Sequence, residues 1–140
     1  MKTWIWRIIL ASYNPQEALK QYRQLGIESE VNTASSHRLI QMLFEGAISK
    51  LAAAQGALER KDFATKGEAL SRAISIIGGL RASLDLSTGE IAENLDQLYE
   101  YMNIRLLDAG MHNDSEKMAE VSQLLKTLKS GWDEITPALT

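Results

Sequence analysis

The chain has 140 residues and a formal charge of −3, with 15 basic and 18 acidic side chains intermixed. That is the size of one domain with a single core, and it lacks the basic patch that nucleic-acid binding requires. No cysteine is present, which excludes disulfides, thiolate metal sites and cysteine nucleophiles and is compatible with a reducing cytosol.

Residues 1–12, M-K-T-W-I-W-R-I-I-L-A-S, are greasy and carry an early lysine, but Arg7 interrupts the apolar run. The pieces are too short for the apolar region of an export signal or for a bilayer span. Three readings of this extension stay open: an upstream start, an additional packing helix, or a membrane-surface or signal role. Asn14-Pro15 then joins a capping residue to the favoured first helical position, so a short helix is predicted from Pro15 to about Leu25, ended by Gly26. Ala18, Leu19, Tyr22 and Leu25 make its apolar side. Glu28 to Ser36 carries few apolar residues and reads as a polar connector, a tether that lets the short helix leave without unfolding the rest.

The first long helix is predicted to start after Ser35 as N-cap. Leu39, Ile40, Leu43, Phe44, Ala47, Ile48 and Leu51 recur at helical spacing and form a wide apolar stripe with no reactive group in it. Two readings compete for this excess: a widened core, or a groove that receives an apolar segment of another protein. The second long helix starts near Asp62, placed to cap the amide of Ala64 or Thr65, with Leu70, Ala73, Ile74, Ile77, Leu80 and Leu84 inward and Ile76 outside that seam. Gly67, Gly78 and Gly79 each cost up to about 1 kcal/mol against alanine in a helix, so the close approach of a neighbouring helix or ligand chain is expected there, against a local kink.

Ser87-Thr88-Gly89 breaks the pattern and opens the third helix, whose inward seam is Ile91, Leu95, Leu98, Met102, Leu106 and Ala109 and whose predicted stop is Gly110. Asp114 caps the fourth, where Met118, Val121, Leu125, Leu128, Trp132 and Ile135 keep a spacing close to a heptad. Short links make consecutive helices antiparallel neighbours. The expected fold is all-α, an antiparallel up-down four-helix bundle with a short additional N-terminal helix. Its expected divisions are the extension at 1–12, the short helix and connector at 13–34, the bundle at 35–135 and a tail at 136–140.

Little in the chain points to chemistry. Di-metal carboxylate centres in helical bundles need inward-facing Glu-x-x-His spacings, but Ala34 precedes His37 by three and Ala109 precedes His112 by three. A histidine phosphocarrier needs a solvated mid-helix imidazole. His37 falls in a predicted first turn, where the helix N-terminus disfavours a charged ring, and reads as a local brace for the helix start or a contact for a bound chain. Gly78-Gly79 lies inside a predicted helix, so it forms no phosphate loop, and no nucleophile motif frames the serines. Tyr99 and Tyr101, two positions apart, cannot share a face, so one lies off the core seam as a partner anchor or a plain surface ring.

Three blocks carry a resemblance: A-S-S-H-R-L-I-Q-M-L-F-E-G-A-I-S-K-L-A-A-A-Q-G-A-L at Ala34 to Leu58, G-E-A-L-S-R-A-I-S-I-I-G-G-L-R-A-S-L-D at Gly67 to Asp85, and N-L-D-Q-L-Y-E-Y-M at Asn94 to Met102. In this order they resemble the flagellin-export chaperones, the FliS family, over roughly Tyr13 to Ile135. The chain departs from the family pattern in the 1–12 extension and in Ser36, where the family often has proline. The resemblance implies a cytoplasmic, non-enzymatic chaperone without cofactor or metal. Its client is the C-terminal segment of newly made flagellin, which it keeps from premature polymerisation and competent for the flagellar type III export gate. Implied partners are flagellin and the export apparatus, with contacts to flagellar regulators left open and neither nucleic acid nor stable membrane insertion expected.

In the family the N-terminal segment can occupy part of the groove of the free chaperone, which here makes Tyr13, Leu19, Tyr22 and Leu25 a displaceable lid. The expected groove comprises Ile40, Leu43, Phe44, Ile76, Tyr99 and Tyr101, with His37 and Arg38 at its mouth. The rival readings are a helical adaptor that docks onto a folded partner and, behind it, the histidine phosphocarrier.

Overall fold

The computed structural model describes Ile9 and residues 11–24 and 36–135, and these are all-helical. Five α-helices follow one another: α1 (Pro15–Gln24), α2 (Ser36–Glu59), α3 (Phe63–Ala82), α4 (Glu90–His112) and α5 (Ser115–Glu134), with a 3₁₀ turn at Leu86–Thr88 before α4. Their starts follow capping chemistry. Asn14 Oδ1 accepts from the amides of Gln16 and Glu17 at 3.0 and 3.2 Å. Asp62 accepts from the Thr65 amide at 3.2 Å, and Asp114 from those of Glu116 and Lys117 at 3.1 and 3.2 Å. Each satisfies amides that have no partner inside the helix. Ser35, Gly26 and the polar connector as far as residue 35 lie outside the described residues, as does the expected end of α1 at Leu25, while Ser36, expected as the connector's last residue, is the first of α2.

Among the long helices, α2 packs on α3, α3 on α4, α4 on α5, and α5 returns against α2, while α1 rests on α2 and α3. The wide apolar stripe of α2 enters the core: Leu39, Ile40, Met42, Leu43, Phe44, Ala47, Leu51 and Ala54 are buried, with Ile48 packed against them. The predicted seams of the later helices are buried or half-buried throughout. Ion pairs stitch the outer surfaces. Arg81 on α3 holds Asp96 at 2.7 Å and Glu100 at 3.1 Å on α4, and Arg105 on α4 holds Glu120 on α5 at 2.6 Å. The Arg81 hydrogen bond keeps the Asp96 carboxyl below the usual carboxylate range.

Several sequence expectations need correction. Ile76 is not outside the core: it is 3% exposed, and its Cδ1 lies 3.4 Å from where a Cβ on Gly46 of α2 would stand. The seam of α3 is wider than one row of threes and fours because α3 faces both α2 and α4. Gly110 does not stop α4. The helix runs two residues further, and Asn113 takes the left-handed position at φ 51°. The role of Gly110 is close packing, since a Cβ there would come within 2.8 Å of Leu70 Cδ2. At Gly67 and Gly78 a Cβ meets nothing within 4 Å, so close approach does not offset the helix cost at those two positions.

Candidate functional site

One end of the molecule is closed by the chain's own N-terminal segment. After a turn closed by the Ser12 amide on the Ile9 carbonyl, residues 12–14 pass beside the link from α3 to α4, where Tyr13 and Leu84 form an isolated antiparallel bridge. The Asn14 amide donates to the Ser83 carbonyl at 2.7 Å, and the Asp85 amide donates to the Ser12 carbonyl at 2.7 Å. Ser12 and Tyr13 are both buried, and the ring of Tyr13 is directed inward.

The seat that receives Tyr13 is assembled from three helices. Its hydroxyl stands 2.5 Å from that of Tyr99, in the middle of α4, and its ring meets Trp132 near the end of α5 edge-on, at 5.2 Å between centroids and 75° between planes. Trp132 is locked to the first turn of α2. The His37 ring stacks on it at 5.1 Å and 8°. The Trp132 indole N–H donates to the His37 carbonyl at 2.9 Å, and His37 Nε2 lies 2.8 Å from the Trp132 carbonyl. A carbonyl oxygen only accepts, so Nε2 carries the proton. Burial raises both phenols above the ordinary tyrosine range, opposed at Tyr13 by the hydrogen bond with Tyr99 and reinforced at Tyr99 by the proximity of Tyr13. Both stay neutral at physiological pH.

Beside Tyr13 lies an apolar cleft of about 170 Å³, lined by Ile9, Phe44, Ile91, Leu95, Leu128 and Ile135 as well as by Tyr13 and Trp132. Ile9 and the buried Ser12 come from the N-terminal extension, whose described end therefore packs on the core. Most of the extension lies outside the described residues.

The structure scatters the residues expected in the groove. Phe44 and Tyr99 adjoin the seat directly. Ile40, Leu43 and Ile76 lie inside the core. Tyr101 is 41% exposed and donates to Glu120 at 2.6 Å, with the Arg105 guanidinium 5.8 Å from its ring centroid, so it belongs to the outer α4/α5 surface. Arg38, half-buried, bonds Gln41 and Glu45 along α2. His37 is buried, and its hydrogen bond is not local, because its partner lies 95 residues on. A stacked ring with Nε2 engaged by a carbonyl also lacks the solvated face that phosphotransfer requires. Of the expected lid, Tyr13 is seated, Leu19 is half-buried against the core, and the Tyr22 side chain and all of Leu25 lie outside the described residues.

Sequence reasoning placed Trp132 in the seam without giving it a site role, and it missed the Ser83 to Asp85 edge. No local signal marks that edge, since its partners are about seventy positions earlier in the chain. A second apolar surface runs between α3 and α4, a groove of about 400 Å³ that includes Leu70, Ile74, Leu106, Leu107 and Met111. Among the described residues no helix is long and apolar enough to cross a membrane.

Comparison with known proteins adds family information. Residues 18–139 match the family model described as flagellar protein FliS. The flagellar secretion chaperone FliSB of Pseudomonas aeruginosa is 51% identical over 121 residues, covering 86% of this chain and 96% of that protein. FliS of Salmonella typhimurium is 50% identical over 121 residues, covering 85% and 90%, and FliS of Bacillus subtilis 30% over 125 residues, covering 89% and 88%.

Proposed function

Because this chain belongs to the FliS family of flagellar proteins, we propose that it acts in the cytosol as a flagellar secretion chaperone whose client is the C-terminal segment of flagellin. The client segment orders against the chaperone, which covers apolar surface that would otherwise drive premature polymerisation and hands the subunit to the export apparatus. Ordering a disordered tail consumes part of the contact energy, so the complex stays weak enough for release at the type III gate. Residues 35–135 serve as the scaffold, an antiparallel up-down four-helix bundle, a reading supported by the cyclic packing of α2 on α3, α4 and α5. Residues 13–34 serve as a lid and its tether.

The observation that carries this reading is the seat under Tyr13. The attachments of residues 12–14 include two backbone hydrogen bonds, one hydroxyl contact and one ring edge, groups that a competing chain can also supply. In this reading Phe44 and Tyr99 touch the client, with His37 and Arg38 at the mouth. Tyr101 extends the footprint outward, and Ile40, Leu43 and Ile76 form the wall beneath. Leu43→Ala that folds normally but loses the client supports that wall; joint loss of folding and binding returns Leu43 to the core alone.

Calorimetry with a synthetic flagellin C-terminal peptide tests the function. A tail binder shows a large negative heat-capacity change and a gain of helix in the peptide. The absence of any binding rejects the proposal, and binding only to folded flagellin or another folded partner favours the adaptor reading.

A further inference from the structure

We propose that the client segment replacing residues 12–14 enters as an extended strand with a neutral hydrogen-bonding side chain at the Tyr13 place, paired with the Ser83 to Asp85 edge. This rests on the reading of the N-terminal segment as displaceable and specifies what displaces it.

The argument follows the polar groups that the departing segment leaves behind. Ser83 and Tyr99 are both 0% exposed. Among the described residues, the Ser83 carbonyl accepts from Asn14, the Asp85 amide donates to Ser12, and the Tyr99 hydroxyl pairs with Tyr13. Covering these groups without partners incurs a desolvation cost for each of them. A helix laid over the edge spends its amides and carbonyls internally and offers none to Ser83 or Asp85. An extended chain offers both, and its alternation sends the intervening side chain down to Tyr99. That side chain must be long, since a serine would leave the Trp132 ring edge uncovered, and neutral, since a carboxylate is costly in a seat walled by apolar side chains. Tyrosine and glutamine satisfy these demands. The 170 Å³ cleft between Phe44, Leu95, Leu128 and Trp132 lies alongside, so a bulky apolar residue near that position has apolar surface to cover.

Two measurements on the full chain test this, with synthetic flagellin C-terminal peptides as the probe. Amide exchange followed by NMR reads the edge directly. On saturation the Asn14 amide should lose protection while the Asp85 amide keeps it, because the incoming strand supplies a new carbonyl. Loss at both amides shows displacement without strand replacement and overturns the inference; protection at both shows that the client binds elsewhere and does the same. A peptide series with each tyrosine, glutamine and asparagine changed in turn to phenylalanine or leucine reads the seat. One position should weaken binding about tenfold, the scale of a buried hydroxyl left without a partner.

In Tyr13→Phe the incumbent loses its hydroxyl and the client does not, so affinity for the unmodified peptide should rise several-fold. An unchanged affinity in Tyr13→Phe, or a flat peptide series, defeats the claim that a hydroxyl is read. A peptide with no measurable binding rejects the proposed function and this inference with it.

Discussion

The Tyr13 seat and the open groove between α3 and α4 are both apolar, yet they place different demands on whatever touches them. In the seat a neutral hydroxyl, a carbonyl and an amide are all engaged by the chain's own segment, and the cover over them includes a buried ring. The groove shows apolar side chains to solvent, with Leu107 at 57% and Met111 at 77% exposure on its α4 rim, and Lys66 already satisfied by the Gly110 carbonyl at 3.0 Å. Apolar area attracts with little discrimination, whereas buried polar groups penalise every occupant that cannot pair them. On the proposed function the seat is the part that selects a partner and the groove the part that adds area.

Removing the centre of the seat should have the largest effect on the molecule. Trp132→Ala deletes a buried indole, its stack with His37 and the indole N–H bond to the His37 carbonyl, and should cost about 4 kcal/mol of stability in urea unfolding. A cost under about 1 kcal/mol would mean that the indole does not help to hold the two helix ends together.

On the groove side, Gly110→Ala forces a Cβ to within 2.8 Å of Leu70 and should destabilise by about 1–2 kcal/mol despite the better helix propensity of alanine. Gly78→Ala, with open space around it, should instead stabilise by about 0.5–1 kcal/mol. Equal signs for the two substitutions would erase the distinction between a packing glycine and a merely tolerated one.

Alkali separates the regions by charge. Tyr13 and Tyr99 are held above the ordinary tyrosine value by burial, so their contribution to the closed state is fully present below about pH 10. It is lost as pH rises further, because the opened phenols ionise and the seated ones do not. These two should give late steps in a phenolate absorbance titration, beside Tyr101, which its hydrogen bond to Glu120 also raises, and Tyr99→Phe should remove one of them. Ionisation of Tyr13 and Tyr99 in the ordinary range would show that the seat is open. The smallest effect is expected at the groove rim. Met111→Ser should change stability by less than about 0.5 kcal/mol, and any loss of client affinity it causes places the groove inside the binding footprint.

What the sequence by itself determined is local. Asn14, Asp62 and Asp114 cap helices because a side-chain oxygen two or three residues away from free amides needs no tertiary help. The seams of α2 to α5 were legible for a similar reason, since 3.6 residues per turn is a property of neighbours in the chain. The family resemblance was likewise carried by contiguous blocks. Tertiary structure alone decided that Tyr99 turns inward while Tyr101 pairs with Glu120, that Ile76 joins the core, and that Asn113 rather than Gly110 takes the left-handed turn. It alone joined His37 to Trp132 across 95 residues and laid Tyr13 on Tyr99 across 86. Such pairs have no periodic signature. They exist because helix packing brings distant buried polar groups together, where each must find a partner or lose the hydrogen bonds it had in water.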